Sequence, residues 1–313
     1  MNFRFVFRLV SAVVACAGLA GIATAQQVSS LPGVPVHMVV TVETRHGAQM
    51  PVIDKADVMV FEGRDRDTVT DWVAAQGDRA GLDLFILLDD ASTLSLGSQL
   101  EDIRQFINTQ PTTTRIGIAY MQNGIAQIAQ DLTTDHALSS KALRLPLGVP
   151  GVNGSPYFSL GDLIKRWPEG SPRREVLMAT DGLDRYYGNG SDDPYVSEVI
   201  EQAQRAGVMV FAIYTPGVGH FGHSYWSAYW GQYYLSQLVE ETGGEGYYIG
   251  FYGPPVAFVP YLNDLAQRLT RQYLLTFLAK PEKKAGMRRV RLATEVSNAE
   301  LVAPNSVYVP AGQ

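Results

Sequence analysis

Two apolar segments of the chain end in the same way, in aspartates followed by small or polar residues. Residues 84–88 read Leu-Phe-Ile-Leu-Leu and lead into Asp89 and Asp90, and residues 176–180 read Val-Leu-Met-Ala-Thr and lead into Asp181. Continuous apolar runs of this kind are typical of strands buried on both faces of a parallel sheet. Because parallel strands bring their carboxyl ends to one edge, where ligands usually bind, we expect the two aspartate loops to share a site.

The region between residues 83 and 270 alternates strand and helix patterns. Such alternation predicts an α/β fold, with a three-layer, doubly wound and mostly parallel sheet. Asn123-Gly124 lies between two strand patterns and predicts a hairpin, and therefore an antiparallel edge strand. The predicted strands are 84–88, 115–121, 125–129, 175–180, 208–214 and 246–249, and the predicted helices are 96–108, 137–145, 160–166, 196–206, 232–241 and 258–271.

Both ends of the chain carry further β patterns, at 36–42 and 58–61 and again at 272–279, 288–294 and 307–309. Neither end is long enough for a stable sheet of its own. We expect the N-terminal segment, 26–80, and the C-terminal segment, 272–313, to form one small β domain beside the α/β domain at 81–271.

The first 25 residues have the features of a secretory signal peptide. Arg4 and Arg8 precede an apolar run, and Ala23-Thr24-Ala25 offers a small-residue cleavage site. An alternative interpretation takes Val13 to Cys16 as a lipoprotein box with a lipid on Cys16, but the apolar run continues beyond Cys16 and fits ordinary cleavage better. We expect an exported protein, periplasmic or secreted, of bacterial type.

Composition narrows the possible partners. The formal net charge is -6 and charged residues make up 18% of the chain, without basic clusters, which argues against nucleic acid. Cys16 is the single cysteine, so the mature protein would have neither disulfides nor thiolate metal sites. No segment after the signal reaches the roughly 18 apolar residues that would span a bilayer.

Together these features resemble the von Willebrand factor A-type domain, in which an apolar strand ends in Asp-x-Ser-x-Ser and a later one in Asp-Gly. Residues 238–244 (Leu-Val-Glu-Glu-Thr-Gly-Gly) and 271–275 (Arg-Gln-Tyr-Leu-Leu) also look like secreted bacterial proteins related to this domain. The resemblance implies a metal-ion-dependent adhesion site, where magnesium bound by hydroxyls and carboxylates accepts an acidic residue of a partner protein. It implies protein binding and cell adhesion without catalysis.

The chain departs from the family pattern at the expected ligands. If Asp89 is the lead aspartate, the hydroxyl positions fall on Ala91 and Thr93. If Asp90 leads, they fall on Ser92 and Leu94, with Ser95 one residue too far along. The central threonine is also missing, and Ser155 or Ser159 would have to replace it. We therefore expect a degenerate site with weak magnesium binding or none, its candidate ligands being Asp89, Asp90, Ser92, Thr93, Ser95, Ser155, Ser159 and Asp181.

A run rich in large rings follows the strand pattern at 208–214 and should rise at the same edge. Tyr and Trp are common anchors of protein interfaces, although part of this run could equally be core. We interpret residues 221–234 as an aromatic loop and expect partner contacts from Tyr186, Tyr187, His220, His223, Tyr225, Trp226, Tyr229 and Trp230. His220 and His223 could also share a metal ion, but no third ligand is evident nearby.

No motif for catalysis accompanies these features, since the chain has no Gly-x-Ser-x-Gly elbow and no persuasive Ser, His and Asp arrangement. The sequence therefore predicts a non-catalytic, extracytoplasmic protein-recognition or adhesion module, assisted by magnesium if its degenerate site binds the ion. The alternative is a carbohydrate-binding module that stacks sugars on Trp226 and Trp230.

Overall fold

The computed structural model describes residues 33–44, 50–92, 95–149, 151, 153–168, 173–188, 190–216, 225–251, 253 and 255–312. All of them belong to one compact unit, Pro32–Gln313. The predicted signal peptide with Cys16 lies outside the described residues, as do Thr93, His220 and His223.

One of two sheets is mostly parallel and has six strands in the order β6-β5-β4-β7-β8-β9. β5 pairs with β6 in antiparallel fashion, and the other neighbours are parallel. The strands are β4 (Leu82–Asp89), β5 (Thr114–Gln122), β6 (Ile125–Thr133), β7 (Arg174–Thr180), β8 (Val208–Tyr214) and β9 (Gly246–Tyr247). Every residue of β4 and β8 is buried, which explains why their sequences are continuously apolar.

Helices cover both faces of this sheet and make a three-layer arrangement. They are α1 (Ser95–Thr109), α2 (His136–Lys141), α3 (Pro156–Lys165), α4 (Pro194–Ala206), α5 (Tyr225–Thr242) and α6 (Val259–Thr270). α1 and α6 pack against the face that carries Leu84 and Ile86. α3, α4 and α5 pack against the face that carries Phe85 and Leu87. Alternate residues of one strand thus supply two separate cores.

The second sheet is built from both ends of the chain. Its seven strands lie in the order β12-β1-β10-β3-β2-β11-β13 and pair in antiparallel fashion. They are β1 (Val34–Thr44), β2 (Val58–Glu62), β3 (Asp65–Ala74), β10 (Gln272–Ala279), β11 (Gly286–Thr294), β12 (Ala299–Val302) and β13 (Ser306–Val309). Its core is separate from the two cores of the parallel sheet. That this sheet is an independent domain, with boundaries at 80 and 272, stays a prediction.

The α/β class and the antiparallel edge strand are confirmed. Asn123 and Gly124 have φ angles of 51° and 77° and turn β5 into β6, as the Asn-Gly pair predicted.

The interpretation of residues 221–234 as a loop is wrong from Tyr225 onward, because α5 begins there. The buried positions of α5 recur every three or four residues from Ser227 to Thr242. Packing of this face against the sheet therefore stabilises the helix, although its aromatic composition by itself does not favour one. None of the helices described is long and apolar enough to cross a membrane.

Candidate functional site

The two aspartate loops leave the parallel sheet at its topological switch point. β4 and β7 are neighbours, but the chain continues from β4 to β5 on one side and from β7 to β8 on the other. The loops after these strands therefore separate at the carboxyl edge, which is where open α/β sheets usually form a ligand crevice. We refer to this end of the sheet as the carboxyl edge.

Asp89, the last residue of β4, is buried at this edge. Its Oδ1 accepts a hydrogen bond from the Ala91 backbone N–H at 2.8 Å, and its Oδ2 accepts one from the Thr180 hydroxyl at 2.7 Å. Burial, followed by repulsion from Asp181, raises the pKa of Asp89 to about 6. Arg185 and the two hydrogen bonds act in the opposite direction. Asp89 and Asp181 are therefore close enough to repel each other.

Asp181 forms a buried ion pair with Arg185, four residues further along. One guanidinium nitrogen lies 3.3 Å from Asp181 Oδ1 and the other contacts Oδ2. Burial by itself would lower the pKa of Arg185, but the carboxylates of Asp181 and Asp89 outweigh it and the pKa is raised. The guanidinium is thus a permanent positive charge that faces both aspartates.

Asp184 holds the turn that positions Arg185. Its Oδ1 accepts hydrogen bonds from the backbone N–H groups of Tyr186 and Tyr187, at 2.8 and 2.9 Å. Its Oδ2 accepts the Ser155 hydroxyl at 2.8 Å. The Arg185 backbone N–H donates to the Gly154 carbonyl at 3.1 Å. Arg185 is therefore fixed by the loop that precedes α3 as well as by its own loop.

Asp90 does not join Asp89, although the two are adjacent in sequence. Both of its carboxylate oxygens pair with the Arg144 guanidinium, at 2.6 and 2.7 Å, in a bidentate arrangement. The guanidinium also lies over the Tyr120 ring, 3.7 Å from its centroid. Asp89, and not Asp90, is therefore the aspartate that interacts with Asp181 and Arg185. The register of the hydroxyl ligands stays a prediction.

The serines predicted as metal ligands form hydrogen bonds to other groups of the protein. Ser92 shares a hydrogen bond of 3.1 Å with the Thr215 hydroxyl. Ser155 caps α3 by accepting from the Phe158 N–H while it donates to Asp184, and Ser159 donates to the Ser155 carbonyl at 3.2 Å. α1 begins at Ser95, whose side chain lies outside the description together with Thr93.

Two glycines let α5 approach the loop after β7. Gly182 has a φ of +68°, which favours glycine, and a Cβ there would lie 2.3 Å from the Gly231 carbonyl oxygen. A Cβ on Gly231, within α5, would lie 2.1 Å from the Asp181 carbonyl oxygen. The Tyr157 hydroxyl donates to the Gly182 carbonyl at 2.7 Å. The α5 backbone and the Tyr157 side chain thus both hold the Asp181 loop in place.

The predicted aromatic contacts divide between surface and core. Trp226 is 66% exposed, and Tyr225, Tyr229 and Tyr233 are exposed on the same helix, one turn apart. Trp230 is only half-buried and stacks on the buried Tyr234 at a centroid distance of 6.0 Å, so it supports the helix more than it faces solvent. Tyr186 and Tyr187 are exposed on the turn that Asp184 holds.

Apolar side chains of two further loops are exposed near this edge. Leu145, Leu147 and Val149 belong to the loop that Gly148 ties to the Asp90 carbonyl at 2.8 Å. Val256, which is 96% exposed, lies in a loop held by Gln99 near the start of α1. We call these residues, together with Tyr186, Tyr187, Tyr225, Trp226 and Tyr229, the apolar rim.

The described residues at the carboxyl edge do not fit a magnesium site. Among the described residues, no three His, Cys, Asp or Glu side chains are grouped so that they could hold a metal ion. The small cavity lined by Asp89, Ser155, Ser159 and Arg185 has a volume of about 10 Å³, room for a single water. Magnesium takes six oxygen ligands and usually keeps several waters. The oxygens of Asp89 and Asp181 are already occupied by hydrogen bonds and by a guanidinium.

Sequence reasoning missed both arginines. Arg185 could have been noticed, because an aspartate and an arginine four residues apart often pair within one turn. Arg144 carried no such signal, since it lies 54 positions from Asp90. Thr180, which bonds to Asp89, ends β7, and Thr215, which bonds to Ser92, directly follows β8, so neither stood out from the strand patterns.

No protein-family model and no curated protein matches the sequence. Among solved structures, an aerotolerance-related membrane protein from Bacteroides fragilis is similar at 13% identity and a TM-score of 0.40, over 60% of this chain and 98% of that one. The SpRpn10 VWA domain is similar at 13% identity and 0.38, over 59% and 94%. The ArnB paralog VWA2 from Sulfolobus acidocaldarius is similar at 9% and 0.37, over 88% and 76%.

At identities and TM-scores this low, these likenesses carry no argument about function. The strand order, the helices on both faces and the two strands that end in Asp89 and Asp181 agree with the fold that the sequence resemblance implies.

Proposed function

We propose that this chain is a non-catalytic, extracytoplasmic protein-recognition module that binds its partner through the apolar rim of the carboxyl edge. The observation that carries the proposal is the exposure of large apolar side chains from α5 and from several loops at one end of the sheet. Single exposed apolar residues are normal on protein surfaces, but a group of them marks a place where a partner can bury area. Tyr and Trp contribute most of the binding energy in such interfaces.

The rim is supported by a rigid frame. The loop with Leu147 and Val149 is attached to Asp90, and the turn with Tyr186 and Tyr187 is held by Asp184. Trp226 and Tyr229 stand on a helix, not on a loop as the sequence suggested. A surface fixed before binding loses little conformational entropy when the partner arrives, which favours recognition.

The environment of the hydroxyls supports a function without catalysis. Ser92 and Ser155 bond to Thr215 and Asp184, and neither contacts a histidine of the described part of the chain. Of the described histidines, His37 lies on β1 and His136 starts α2, where it contacts the carbonyl at the beginning of β5. A nucleophile activated by an adjacent base needs both groups within hydrogen-bond reach.

Site-specific photocrosslinking tests the proposal. A benzophenone amino acid replaces Trp226 in the exported protein, produced in its native host, and the matched control carries it at Leu138. Leu138 is also apolar and 47% exposed, but it lies on α2, which contacts the start of β5 at the opposite edge. We expect a protein adduct from position 226 and none from 138. Adducts of equal yield from both positions, or from 138 alone, would contradict binding at the rim.

The carbohydrate alternative keeps one supporting observation, since the exposed ring of Trp226 offers a face on which a sugar could stack. Trp230, the second platform that the sequence suggested, is already stacked on Tyr234. A glycan array separates the two functions. Sugar binding that persists in chelator and is lost in Trp226→Ala would favour the alternative, whereas protein adducts without sugar binding would favour the module.

A further inference from the structure

The carboxyl edge contains a positive charge beside the aspartates that the sequence predicted as metal ligands. Arg185 reaches Asp181 with two guanidinium nitrogens and is attracted to Asp89 as well. Its side chain is 15% exposed and that of Asp181 only 2% exposed. A guanidinium remains charged at every physiological pH, so it compensates these carboxylates without any bound ion.

Hydrogen bonds from two loops hold Arg185 in this position. Its backbone N–H bonds to Gly154, and Asp184 beside it holds both the following turn and Ser155. Moving Arg185 away from Asp181 would leave this buried carboxylate without its ion pair, in a site that also contains the buried Asp89, which is costly without a counter-ion. The ion pair is therefore part of the folded loop and not an exposed contact that opens freely.

The volume of the adjoining cavity and the number of available oxygen ligands both argue against a metal ion beside the Arg185 guanidinium. The adjoining cavity of about 10 Å³ has room for one water. The hydroxyls of Ser92 and Ser155, which in a related site would complete the coordination sphere, bond to Thr215 and Asp184 instead.

We propose that Arg185 is an internal cation that takes the place of the divalent metal at the Asp89 and Asp181 site, so that recognition at this edge does not depend on divalent cations. Removal of the guanidinium would then uncover two facing carboxylates and create a cation site that the natural chain lacks. The proposal concerns the occupant of the site and holds whether or not the rim binds a protein.

Calorimetric titration with MgCl₂ and MnCl₂ tests this proposal on the full mature chain. We expect the wild-type protein to give no binding heat and the same melting temperature in magnesium as in EDTA. Arg185→Ala should give a clear Mn²⁺ binding heat, with an affinity at least about tenfold above the weakest that the titration detects, a difference of about 1.4 kcal/mol, and should melt higher in Mn²⁺ than in EDTA. Arg185→Ala combined with Asp181→Asn should lose this gain.

Arg166→Ala is the matched control. Arg166 pairs with Asp162 at the same spacing of four residues, but both side chains are more exposed and belong to α3 and its C-cap. This variant removes a comparable ion pair and should gain no cation binding. A gain of the same size in Arg166→Ala would show that any unpaired aspartate suffices and would overturn the assignment.

Two other results would overturn the proposal. One is tight, EDTA-reversible magnesium binding by the wild-type protein. The other is a folded Arg185→Ala, judged by its circular dichroism, that binds Mn²⁺ no better than wild type. If Arg185→Ala does not fold, Arg185→Gln, which keeps an amide donor, goes through the same titration. If neither folds, the wild-type titration decides, since magnesium binding refutes the proposal and its absence supports it. Partner capture enters none of these measurements.

Discussion

Gly231→Ala should destabilise the protein, although alanine is the better helix former. Gly231 lies inside α5, where intrinsic helix propensity alone would make the substitution stabilising by about 1 kcal/mol. The new Cβ would instead lie 2.1 Å from the Asp181 carbonyl oxygen and 3.3 Å from the Gly182 carbonyl carbon. These are backbone atoms, so neither can rotate away. α5 or the Asp181 loop has to move.

Overpacking of a well-packed interior costs about 1–3 kcal/mol, and more where the clash is with backbone. After the gain in propensity, we expect Gly231→Ala to lower the free energy of unfolding by about 1–2 kcal/mol. Gly161→Ala is the matched control, because Gly161 is also buried inside a helix, α3. There the nearest atom to a new Cβ is Gln202 Oε1, at 2.9 Å, the end of a flexible side chain. We expect Gly161→Ala to be neutral or to stabilise by up to about 1 kcal/mol.

Urea unfolding followed by circular dichroism measures both variants. The difference between them, about 1–3 kcal/mol, corresponds to a separation of melting temperatures of about 2–10 °C for a unit of this size. A Gly231→Ala protein as stable as wild type, or shifted as little as Gly161→Ala, would refute the close approach of helix and loop. If both variants lose the same amount of stability, the backbone clash at Gly231 is not what distinguishes the two substitutions.

Three further predictions concern buried polar groups. Burial and two neighbouring carboxylates raise the pKa of Asp67 from 3.8 to about 6. The neutral Asp67 carboxyl therefore contributes stability below about pH 4, and this contribution is lost as the pH rises through 6. Asp67→Asn should accordingly be about 1–2 kcal/mol more stable than wild type at pH 7. In urea unfolding this gain should vanish near pH 4. An advantage independent of pH would contradict this. Arg144→Met leaves Asp90 buried without its counter-ion and should cost about 2–4 kcal/mol, part of which Asp90→Asn in the same chain should restore; thermal melts that show no restoration would contradict the pairing. Tyr157→Phe removes the hydroxyl that bonds the Gly182 carbonyl and should cost about 1–2 kcal/mol of unfolding free energy, whereas unchanged stability would argue against that bond.

The elements that could be predicted from sequence are those with strong local signals. The strands that end at Asp89 and Asp181 were recognisable because both faces of a central parallel strand are buried, which makes their sequences continuously apolar. The hairpin at Asn123-Gly124 was recognisable because its turn requires positive φ angles. The start of α5 was missed, although the rings recur in pairs every four residues from Tyr225 to Tyr234, because the whole ring-rich run was interpreted as a loop.

The candidate site divides in the same way. Local sequence placed Asp89, Asp181 and Tyr186 at one edge of a sheet, because chain order and strand direction determine which loops meet there. Which carboxylate pairs with which charge could not be read locally. Asp89 and Asp90 are neighbours in the chain, yet one lies beside Arg185 and the other is bound to Arg144.

The sequence by itself determined the α/β class, the common edge of the two aspartate loops and the aromatic character of that edge, since each depends on residue periodicity or on the direction of strands. Only the tertiary structure decided that arginine guanidiniums pair with both Asp90 and Asp181 and that the aromatic residues stand on a helix. Ion pairing and helix packing depend on distances of a few ångströms between segments far apart in the chain, such as Asp90 and Arg144 or Asp181 and Gly231. Residue spacing along one segment holds no information about such distances.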